Sequence, residues 1–382
     1  MRYIITLSSG KDSEGTLWWA YNTLPFDSWE VVFDETDWDK QEVYDHLKYL
    51  ESRVGKKFIV IKSKGFRDKL TLELQEKIIE IFGGENVFAE MVIAKKRFPS
   101  TKARFCTVEL KSKPMIDFIL DEVKEDVTII QGVRAEESEA RRNLKISDEY
   151  FKFYLEPYGY DKKGKPLFHT YRKAEILAHL DKYEVNVHRP VLKLSANEVF
   201  NIIFENNSPG NALYKLGLSR VGCWPCVNCG IGEIKIVSEI DPGRIEQLEQ
   251  LEQLSNSTFF PPGFIPTRFC SKTAKCEVYR EDLLRLFGGK APKIIKNQSS
   301  FFNETIQLNP EERLYQMYFK NDKIPVYLDE NGDEYIIRSV KVPTIRDVVK
   351  YVKENPNQVD LIPRSGGCVS VYNICESPAK AS

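Results

Sequence analysis

The sequence has 382 residues, enough for two domains, and its 42% hydrophobic and 29% charged residues are typical of a globular protein with a buried core. A net charge of −1 argues against a protein that coats nucleic acid over its whole surface. No apolar run approaches the roughly 18 residues of a membrane span, and the first residues predict a strand rather than a signal segment. We therefore expect a cytoplasmic protein, in which the eight cysteines serve as ligands or reactive thiols rather than disulfides.

Short apolar runs alternate with helical patterns over the first 130 residues. Strands are predicted at residues 3–7, 29–33, 58–61 and 127–130. Helices are predicted directly after the first strand and at residues 40–52, 68–82, 87–96 and 110–122. This alternation predicts an α/β fold with a doubly wound parallel sheet, in which ligands bind at the carboxyl ends of the strands.

Residues 143–183 are polar and rich in tyrosine and lysine, and we interpret them as an insertion into the first domain, which we place at residues 1–237. Beyond the insertion a helix is predicted to begin after Ser195 and to end near residue 206. Glu198 lies three residues after Ser195, and the pair forms a capping box.

The remainder, residues 238–382, is predicted to be a smaller mixed α+β unit. Its pattern indicates a helix at residues 244–254 and a hairpin at residues 326–337. The hairpin turns on Asn331-Gly332, which is a strong signal for a type I′ turn. A further helix is predicted to begin after Thr344.

The first predicted strand leads directly into a loop of small residues and the start of a helix. These residues are Ser8, Ser9, Gly10, Lys11, Asp12 and Ser13. A helix N-terminus at the end of a strand offers several backbone N–H groups and the positive end of the helix dipole, which together bind a phosphate or pyrophosphate. Gly10 lets the backbone approach the anion, the serines add hydroxyl donors and Lys11 adds a positive charge. An ordinary tight turn is the alternative interpretation.

A basic stretch covers residues 95–113 and holds a single acidic residue, Glu109. Its basic residues are Lys95, Lys96, Arg97, Lys102, Arg104, Lys111 and Lys113. One interpretation is a solvated helix face. The other is a flank that binds anions and lowers the pKa of Cys106 toward the thiolate.

Three residues with the chemistry of an anion site follow the fourth predicted strand. Gly132, at the end of the strand, allows close approach of the backbone, and Arg134 offers a bidentate phosphate ligand. Glu137 would orient Arg134 or hold a Mg²⁺ ion. Salt bridges on the surface are the alternative.

Cys223, Cys226 and Cys229 form a C-x2-C-x2-C pattern that side-chain packing explains poorly. Four thiolates suit either zinc or an iron–sulfur cluster, so a fourth cysteine is expected to join them. The histidines, by contrast, have no ligand-like spacing and no triad arrangement. They are His46, His169, His179 and His188.

In this order the motifs resemble the phosphoadenosine phosphosulfate (PAPS) reductase family of the PP-loop superfamily, over about residues 1–232. The resemblance implies an adenine nucleotide bound over a five- or six-stranded parallel sheet, with its pyrophosphate or phosphosulfate on residues 8–13. It implies that Arg134 and Arg220 close over the anion and that Asp34, at the end of the second strand, approaches the adenosine. Ser9 stands where the family loop usually has glycine. The catalytic residues implied are Lys11, Arg134 and Cys106.

Two departures from the assimilatory reductases bear on the reaction. The Glu-Cys-Gly-Leu-His motif near their C-terminus does not occur here, and Cys106 replaces an adjacent cysteine pair. Cys106 with Cys223, Cys226 and Cys229 instead resembles the sulfurtransferase component of bacterial DNA phosphorothioation systems. This layout implies a [4Fe–4S] cluster, with zinc and free thiols as alternatives.

The other four cysteines leave two interpretations open. They either form a second tetrahedral metal site or are buried thiols without a ligand. They are Cys270, Cys276, Cys368 and Cys375.

Three functions follow from this sequence. The first is ATP- and Mg²⁺-dependent adenylation of an acceptor, followed by sulfur transfer to that acceptor. The sulfur donor would be a cysteine desulfurase or a dithiol protein, and the acceptor could be a nucleic acid. The second is thiol-dependent reduction of PAPS or adenosine phosphosulfate to sulfite. The third is a non-catalytic module that binds nucleotide or DNA and contains a structural metal.

Overall fold

The computed structural model describes residues 1–100, 103–161, 163–279, 294–296, 315–319, 322–328 and 334–356. The chain divides into two compact units. The first unit holds Met1–Phe259 together with the stretch from Val348, and the second holds Phe260–Asp347. Each unit has its own sheet.

The first unit contains a six-stranded sheet and a two-stranded hairpin. Their strands are β1 (Arg2–Leu7), β2 (Trp29–Glu35), β3 (Ile59–Lys62), β4 (Val127–Gln131), β5 (Ser147–Glu149), β6 (Gly159–Tyr160), β7 (Pro166–Leu167) and β8 (Val185–His188). The sheet order is β3-β2-β1-β4-β8-β5, and β6 pairs with β7. All neighbours in the large sheet are parallel except β5, which pairs antiparallel with β8. The predicted parallel sheet is confirmed, and β5 is an antiparallel edge strand that the sequence did not reveal.

The helices of the first unit connect these strands and cover the sheet. They are α1 (Lys11–Thr23), α2 (Gln41–Val54), α3 (Leu72–Phe82), α4 (Val87–Ala94), α5 (Phe105–Thr107), α6 (Lys113–Glu122), α7 (Glu139–Arg142), α8 (Lys152–Leu155), α9 (Lys173–Leu180), α10 (Ala196–Glu205), α11 (Ile231–Ile240) and α12 (Pro242–Ser255). A π-helical segment, Val108–Ser112, joins α5 to α6. The predicted helix at residues 110–122 therefore begins earlier than its hydrophobic pattern indicated.

Local capping explains where α10 begins. The Ser195 hydroxyl accepts a hydrogen bond from the Glu198 backbone N–H, and the Glu198 carboxylate accepts one from the Ser195 backbone N–H at 2.7 Å. Both orphan N–H groups are thereby satisfied, as the capping box predicts.

The core of the first unit lies between the sheet and α6. Ile4, Ile129 and Val187 from three adjacent strands are fully buried against Met115 and Ile116 of α6. Strands covered on both faces read as continuous apolar runs, which is why the sequence located them well. The carboxyl ends of β1, β2 and β4 are thus held rigidly at one edge, where the predicted site lies.

The second unit contains a five-stranded antiparallel sheet. Its strands are β9 (Lys272–Tyr279), β10 (Ile294–Lys296), β11 (Tyr315–Phe319), β12 (Asp322–Leu328) and β13 (Glu334–Val342), in the order β10-β11-β12-β13-β9. The predicted hairpin is present as β12 and β13, which pair at Tyr327 and Tyr335. Asn331-Gly332, at its turn, lies outside the described residues.

Helix α13 (Ile345–Glu354) begins where predicted, after Thr344. The Asp347 backbone N–H donates to the Thr344 hydroxyl at 3.2 Å, and the Asp347 carboxylate accepts from the Thr344 backbone N–H at 2.9 Å. Of the four cysteines outside the predicted cluster site, Cys270 is buried, whereas Cys368 and Cys375 lie outside the described residues. The proposed second metal site therefore stays a prediction.

Within the described part of the chain, no helix combines the length and the apolar character needed to cross a membrane.

Candidate active site

The loop between β1 and α1 is held in place by its own serines. The Ser8 backbone N–H donates to the Ser13 hydroxyl at 3.1 Å, and that hydroxyl donates to the Gly10 carbonyl at 2.9 Å. Ser9 has a φ of +60°, in the left-handed region that favours glycine. This backbone angle gives a physical reason for the glycine that the family loop usually has here, and Asn211 stabilises Ser9 by donating to its hydroxyl at 2.8 Å.

Gly132, directly after β4, touches the first turn of α1. A Cβ atom added to Gly132 would lie 2.5 Å from both the backbone nitrogen and the Cα of Ser13. Such distances do not occur in folded proteins, so a side chain here would push α1 or β4 away. The glycine therefore fixes the distance between Arg134 and the loop.

A buried group of charged side chains surrounds the N-terminus of α1. Arg134 Nε donates to Asp12 Oδ1 at 2.6 Å, and Lys11 Nζ lies 3.9 Å from Asp12 Oδ2. The Arg134 side chain is only 6% exposed. Burial lowers the pKa of Lys11, with a further lowering by Arg134 and Arg220, while Asp12 opposes the shift. Positive charges thus converge where a helix end already favours an anion.

Glu137 is already paired with arginines. Its carboxylate accepts a hydrogen bond from Arg141, and its other oxygen lies 3.9 Å from Arg134 Nη2. Arg134 Nη1, in contrast, donates to Glu136 at 2.7 Å, so both roles of Glu137 stay predictions.

Asp34 lies at the carboxyl end of β2, the strand beside β1. It is buried, and its Oδ1 has no hydrogen-bond partner among the described residues. Burial raises the pKa of Asp34 to about 7, an effect that the Lys111 charge opposes. A carboxyl group with this pKa is partly protonated near neutral pH and can donate or accept a hydrogen bond.

One cavity of about 150 Å³ connects the loop with the cysteines. Ser8 and Arg220 form part of its wall, and Arg104 and Lys111 add two more cationic side chains. The four predicted ligand cysteines also face this cavity: Cys106, Cys223, Cys226 and Cys229. The structure therefore places Ser8, the first residue of the loop, on the same cavity as the four cysteines, although they come from distant parts of the sequence.

The prediction that the basic flank lowers the pKa of Cys106 is wrong. Burial raises the pKa of Cys106 to about 12, Cys226 adds to the increase, and Lys111 only partly opposes it. Two of the seven basic residues of the flank are also paired, since Lys95 and Lys113 both contact Glu109, at 2.9 and 2.6 Å. Desolvation outweighs the nearby positive charges.

The donor chemistry of the four cysteines suits a group bound by thiolates, because all four residues line one cavity. Within the described ranges, however, no three or more cysteine, histidine, aspartate or glutamate side chains are arranged as a metal site. The four cysteines have the donor chemistry that an iron–sulfur cluster or a zinc ion requires, but their positions in this structure are not those of a coordination sphere.

The segment after β2 holds the cysteine loop. Asp39 pairs with Cys223 in an antiparallel bridge, and the Trp224 backbone N–H donates to the Trp38 carbonyl at 2.7 Å. The Trp38 indole N–H donates to the Pro225 carbonyl at 3.0 Å, and its ring stacks on Phe88 with centroids 4.3 Å apart. Sequence reasoning missed Trp38 because it lies in a short loop and its partners are nearly two hundred residues away.

Two further residues lie at the site without a role predicted from the sequence. Lys111 extends into the cavity from the π-helical segment, an irregularity that no hydrophobic pattern signals. Tyr214 lies in a 3₁₀-helix, Ala212–Leu216, and its hydroxyl contacts the first helical residue of α1.

The chain is similar to several known proteins. The profile of the phosphoadenosine phosphosulfate reductase domain matches residues 2–229. An uncharacterized 37.8 kDa protein of Escherichia phage 186 is 30% identical over 300 residues, which cover 69% of this chain and 80% of the phage protein. Two uncharacterized proteins of Methanocaldococcus jannaschii are each 23% identical over 65% and 62% of this chain, which spans only 41% and 44% of their lengths.

A crystal structure of phosphoadenylyl-sulfate (PAPS) reductase from Candida auris in complex with phosphate is also similar, with a TM-score of 0.35 and 16% sequence identity. The alignment covers 59% of this chain and 83% of that one. The profile match includes both the loop and all four cavity cysteines. The chain belongs to the phosphoadenosine phosphosulfate reductase family of the PP-loop superfamily.

Proposed function

We propose that this chain binds ATP and transfers sulfur to an acceptor that it first adenylates. The observation that carries the proposal is the single cavity that is lined by Ser8 of the loop, by Arg220 and by four cysteines. A nucleotide phosphate on the loop would lie beside thiol chemistry, and this arrangement serves a reaction that activates with ATP and then forms a bond to sulfur.

In the first step an acceptor oxygen attacks the α-phosphorus of ATP, and the bond to pyrophosphate breaks. The backbone N–H groups of α1, together with Lys11 and Arg134, stabilise the charge that develops on the leaving pyrophosphate. Asp34 is proposed to contact the adenosine. Mg²⁺, bound together with the nucleotide, would supply further positive charge that stabilises the leaving pyrophosphate. In the second step the outer sulfur of a persulfide carried by the partner forms a bond to the acceptor, and the bond between the acceptor and the AMP oxygen breaks. A second thiol then attacks the carrier sulfur of the resulting disulfide, which frees the thiolated acceptor and leaves the two thiols oxidised to a disulfide.

The sulfur is proposed to come from a partner, either a cysteine desulfurase or a dithiol protein, and a nucleic acid is one candidate acceptor. Cys106, Cys223, Cys226 and Cys229 would hold a [4Fe–4S] cluster, or zinc in its place, which would supply a site for handling sulfur beside the nucleotide. Arg104 and Lys111 line the same space and would keep anionic groups there.

Reduction of PAPS or adenosine phosphosulfate to sulfite is the second candidate, and the family match favours it. It requires an exposed attacking thiol and an external dithiol donor. Burial raises the pKa of both Cys106 and Cys223, so neither has the low pKa of an attacking thiol in this structure.

Substrate tests distinguish the two reactions. We expect anaerobically purified protein to release pyrophosphate from ATP when a sulfur donor and acceptor are present, and to release no sulfite from PAPS. Lys11→Met is expected to lower pyrophosphate release by roughly 100-fold or more, because it removes a cation from the leaving group. Lys77→Met, on the exposed face of α3, is the matched control and is expected to leave the rate unchanged. Sulfite release from PAPS without pyrophosphate release from ATP would reject the sulfurtransferase in favour of the reductase.

Metal analysis tests the thiolate site. We expect iron and acid-labile sulfide in anaerobically purified protein, and Cys226→Ser is expected to lose most of both. Cys270→Ser removes a buried cysteine that does not line the cavity, and this variant is expected to retain the iron and the sulfide. Zinc in place of iron would identify the alternative metal, and a wild-type protein with neither metal would refute the site.

A further inference from the structure

We propose that the hydroxyl of Tyr214 caps α1 in the nucleotide-free protein and is replaced by a phosphate oxygen when a nucleotide binds. The inference rests on the proposed function, because it concerns the loop that would bind the nucleotide. It adds Tyr214 as a residue that competes with the phosphate for that loop. It also gives a physical connection through which nucleotide binding changes the position of the cysteine loop.

The contact itself is short and specific. The Lys11 backbone N–H donates to the Tyr214 hydroxyl at 2.7 Å. The N-cap residue of α1 is Gly10, which has no side chain to accept a hydrogen bond from the first turn. Helix N-termini leave several N–H groups without an intrahelical partner, and polar side chains usually satisfy them. Tyr214 fills this role from a distant part of the chain.

The hydroxyl oxygen lies where an anion would bind. The oxygen is 3.6 Å from the position that a Cβ atom of Gly10 would take. It therefore lies at the N-terminus of α1, where the free N–H groups of a helix point toward a bound anion. Burial raises the pKa of Tyr214, so the group stays neutral at physiological pH. A phosphate oxygen carries charge, and charge-assisted hydrogen bonds are roughly twice as strong as neutral ones. Exchange of the hydroxyl for phosphate is therefore favourable.

Tyr214 belongs to a segment that is attached to the loop at further points. Asn211 donates to the Ser9 hydroxyl at 2.8 Å, and the Val221 carbonyl lies 3.1 Å from the position of a Gly10 Cβ. The same segment continues into Arg220 and Cys223, which line the cavity. Displacement of the Tyr214 hydroxyl thus acts on the residues that carry the closing arginine and the first cysteine of the motif.

Tyr214→Phe provides the test, because it removes only the hydroxyl and keeps the ring that packs edge-on against Phe200. The probe is inorganic pyrophosphate, titrated by calorimetry into wild type, Tyr214→Phe and a control, Tyr171→Phe. The control loses a tyrosine hydroxyl that donates to Asp117 away from the loop. We expect Tyr214→Phe to bind pyrophosphate about fivefold more tightly than wild type, the effect of one net hydrogen bond, and Tyr171→Phe to bind it as wild type does.

Amide hydrogen exchange gives an independent measurement. Without ligand, the Lys11 amide is expected to exchange faster in Tyr214→Phe than in wild type, and saturating pyrophosphate is expected to make the two alike. Weaker binding by Tyr214→Phe would show that the hydroxyl donates to the anion, and equal binding would show that it does not compete; either result overturns the inference while the proposed function stands. If neither wild type nor Tyr214→Phe binds pyrophosphate, the proposed function fails and the inference fails with it.

Discussion

Gly132→Ala is expected to weaken the binding of ATP and pyrophosphate by roughly 100-fold and to destabilise the first unit by about 3 kcal/mol. The added methyl group would lie 2.5 Å from backbone atoms of Ser13, so no side-chain rotation can relieve the clash. Separation of β4 from α1 moves Arg134 away from the loop, and a displacement of about 1 Å is enough to cost roughly 100-fold in a preorganised site. Calorimetric titration with pyrophosphate and chemical denaturation measure the two effects.

Gly84→Ala provides the matched control for this substitution. Gly84 lies in the connection between α3 and α4, and an added Cβ would meet no atom within 4 Å. We expect its free energy of unfolding to stay within about 1 kcal/mol of wild type and its affinity for pyrophosphate to be unchanged. Equal behaviour of the two alanine variants would show that the contact between Gly132 and Ser13 does not hold the site together.

Arg134→Met is expected to destabilise the protein by about 3–5 kcal/mol, because it leaves the Asp12 carboxylate buried without its closest cation. The two side chains are 6% and 10% exposed and are joined at 2.6 Å. The double variant Asp12→Asn with Arg134→Met removes both charges and is expected to recover a large part of the lost stability. It is not expected to recover ATP binding, because the guanidinium group is still absent. Urea denaturation and nucleotide titration of the same preparations measure both quantities.

This pair of variants distinguishes a structural role from a binding role for Arg134. If the double variant regained both stability and nucleotide affinity, Arg134 would be present only to neutralise Asp12. If the double variant were as unstable as the sum of the two single variants, the two side chains would not be coupled, and the ion pair would contribute little.

The parts of the fold that the sequence predicted are those set by local patterns. β1, β2 and β4 are apolar runs buried on both faces, and α10 begins at a capping box that four adjacent residues define. β5 was missed because Ser147–Glu149 is polar and forms a strand only through pairing with β8, about forty residues later. Its hydrogen bonds depend on tertiary structure, which no local pattern contains.

The site was predictable to a similar extent. The loop of residues 8–13 and the motif of Cys223, Cys226 and Cys229 were predicted from local spacing, whereas Cys106 was added through the family resemblance. The structure places Ser8 and all four cysteines on one cavity. The pKa of Cys106 was predicted in the wrong direction, because nearby lysines are visible in a sequence while burial is not. The contact of Arg134 with Asp12 and that of Tyr214 with Lys11 join residues far apart in the chain, and they appear only after folding.

Because the cysteine loop is attached to Trp38, intrinsic tryptophan fluorescence can report on the cavity. Two of the protein's five tryptophans, Trp38 and Trp224, line the cavity, and Trp38 is fully buried against Phe88. Indole emission responds to polarity and to nearby metal centres. Binding of a ligand or a metal in the cavity therefore changes the emission maximum or the emission intensity of these two side chains. The assembly of the site can thus be followed in real time without any added dye.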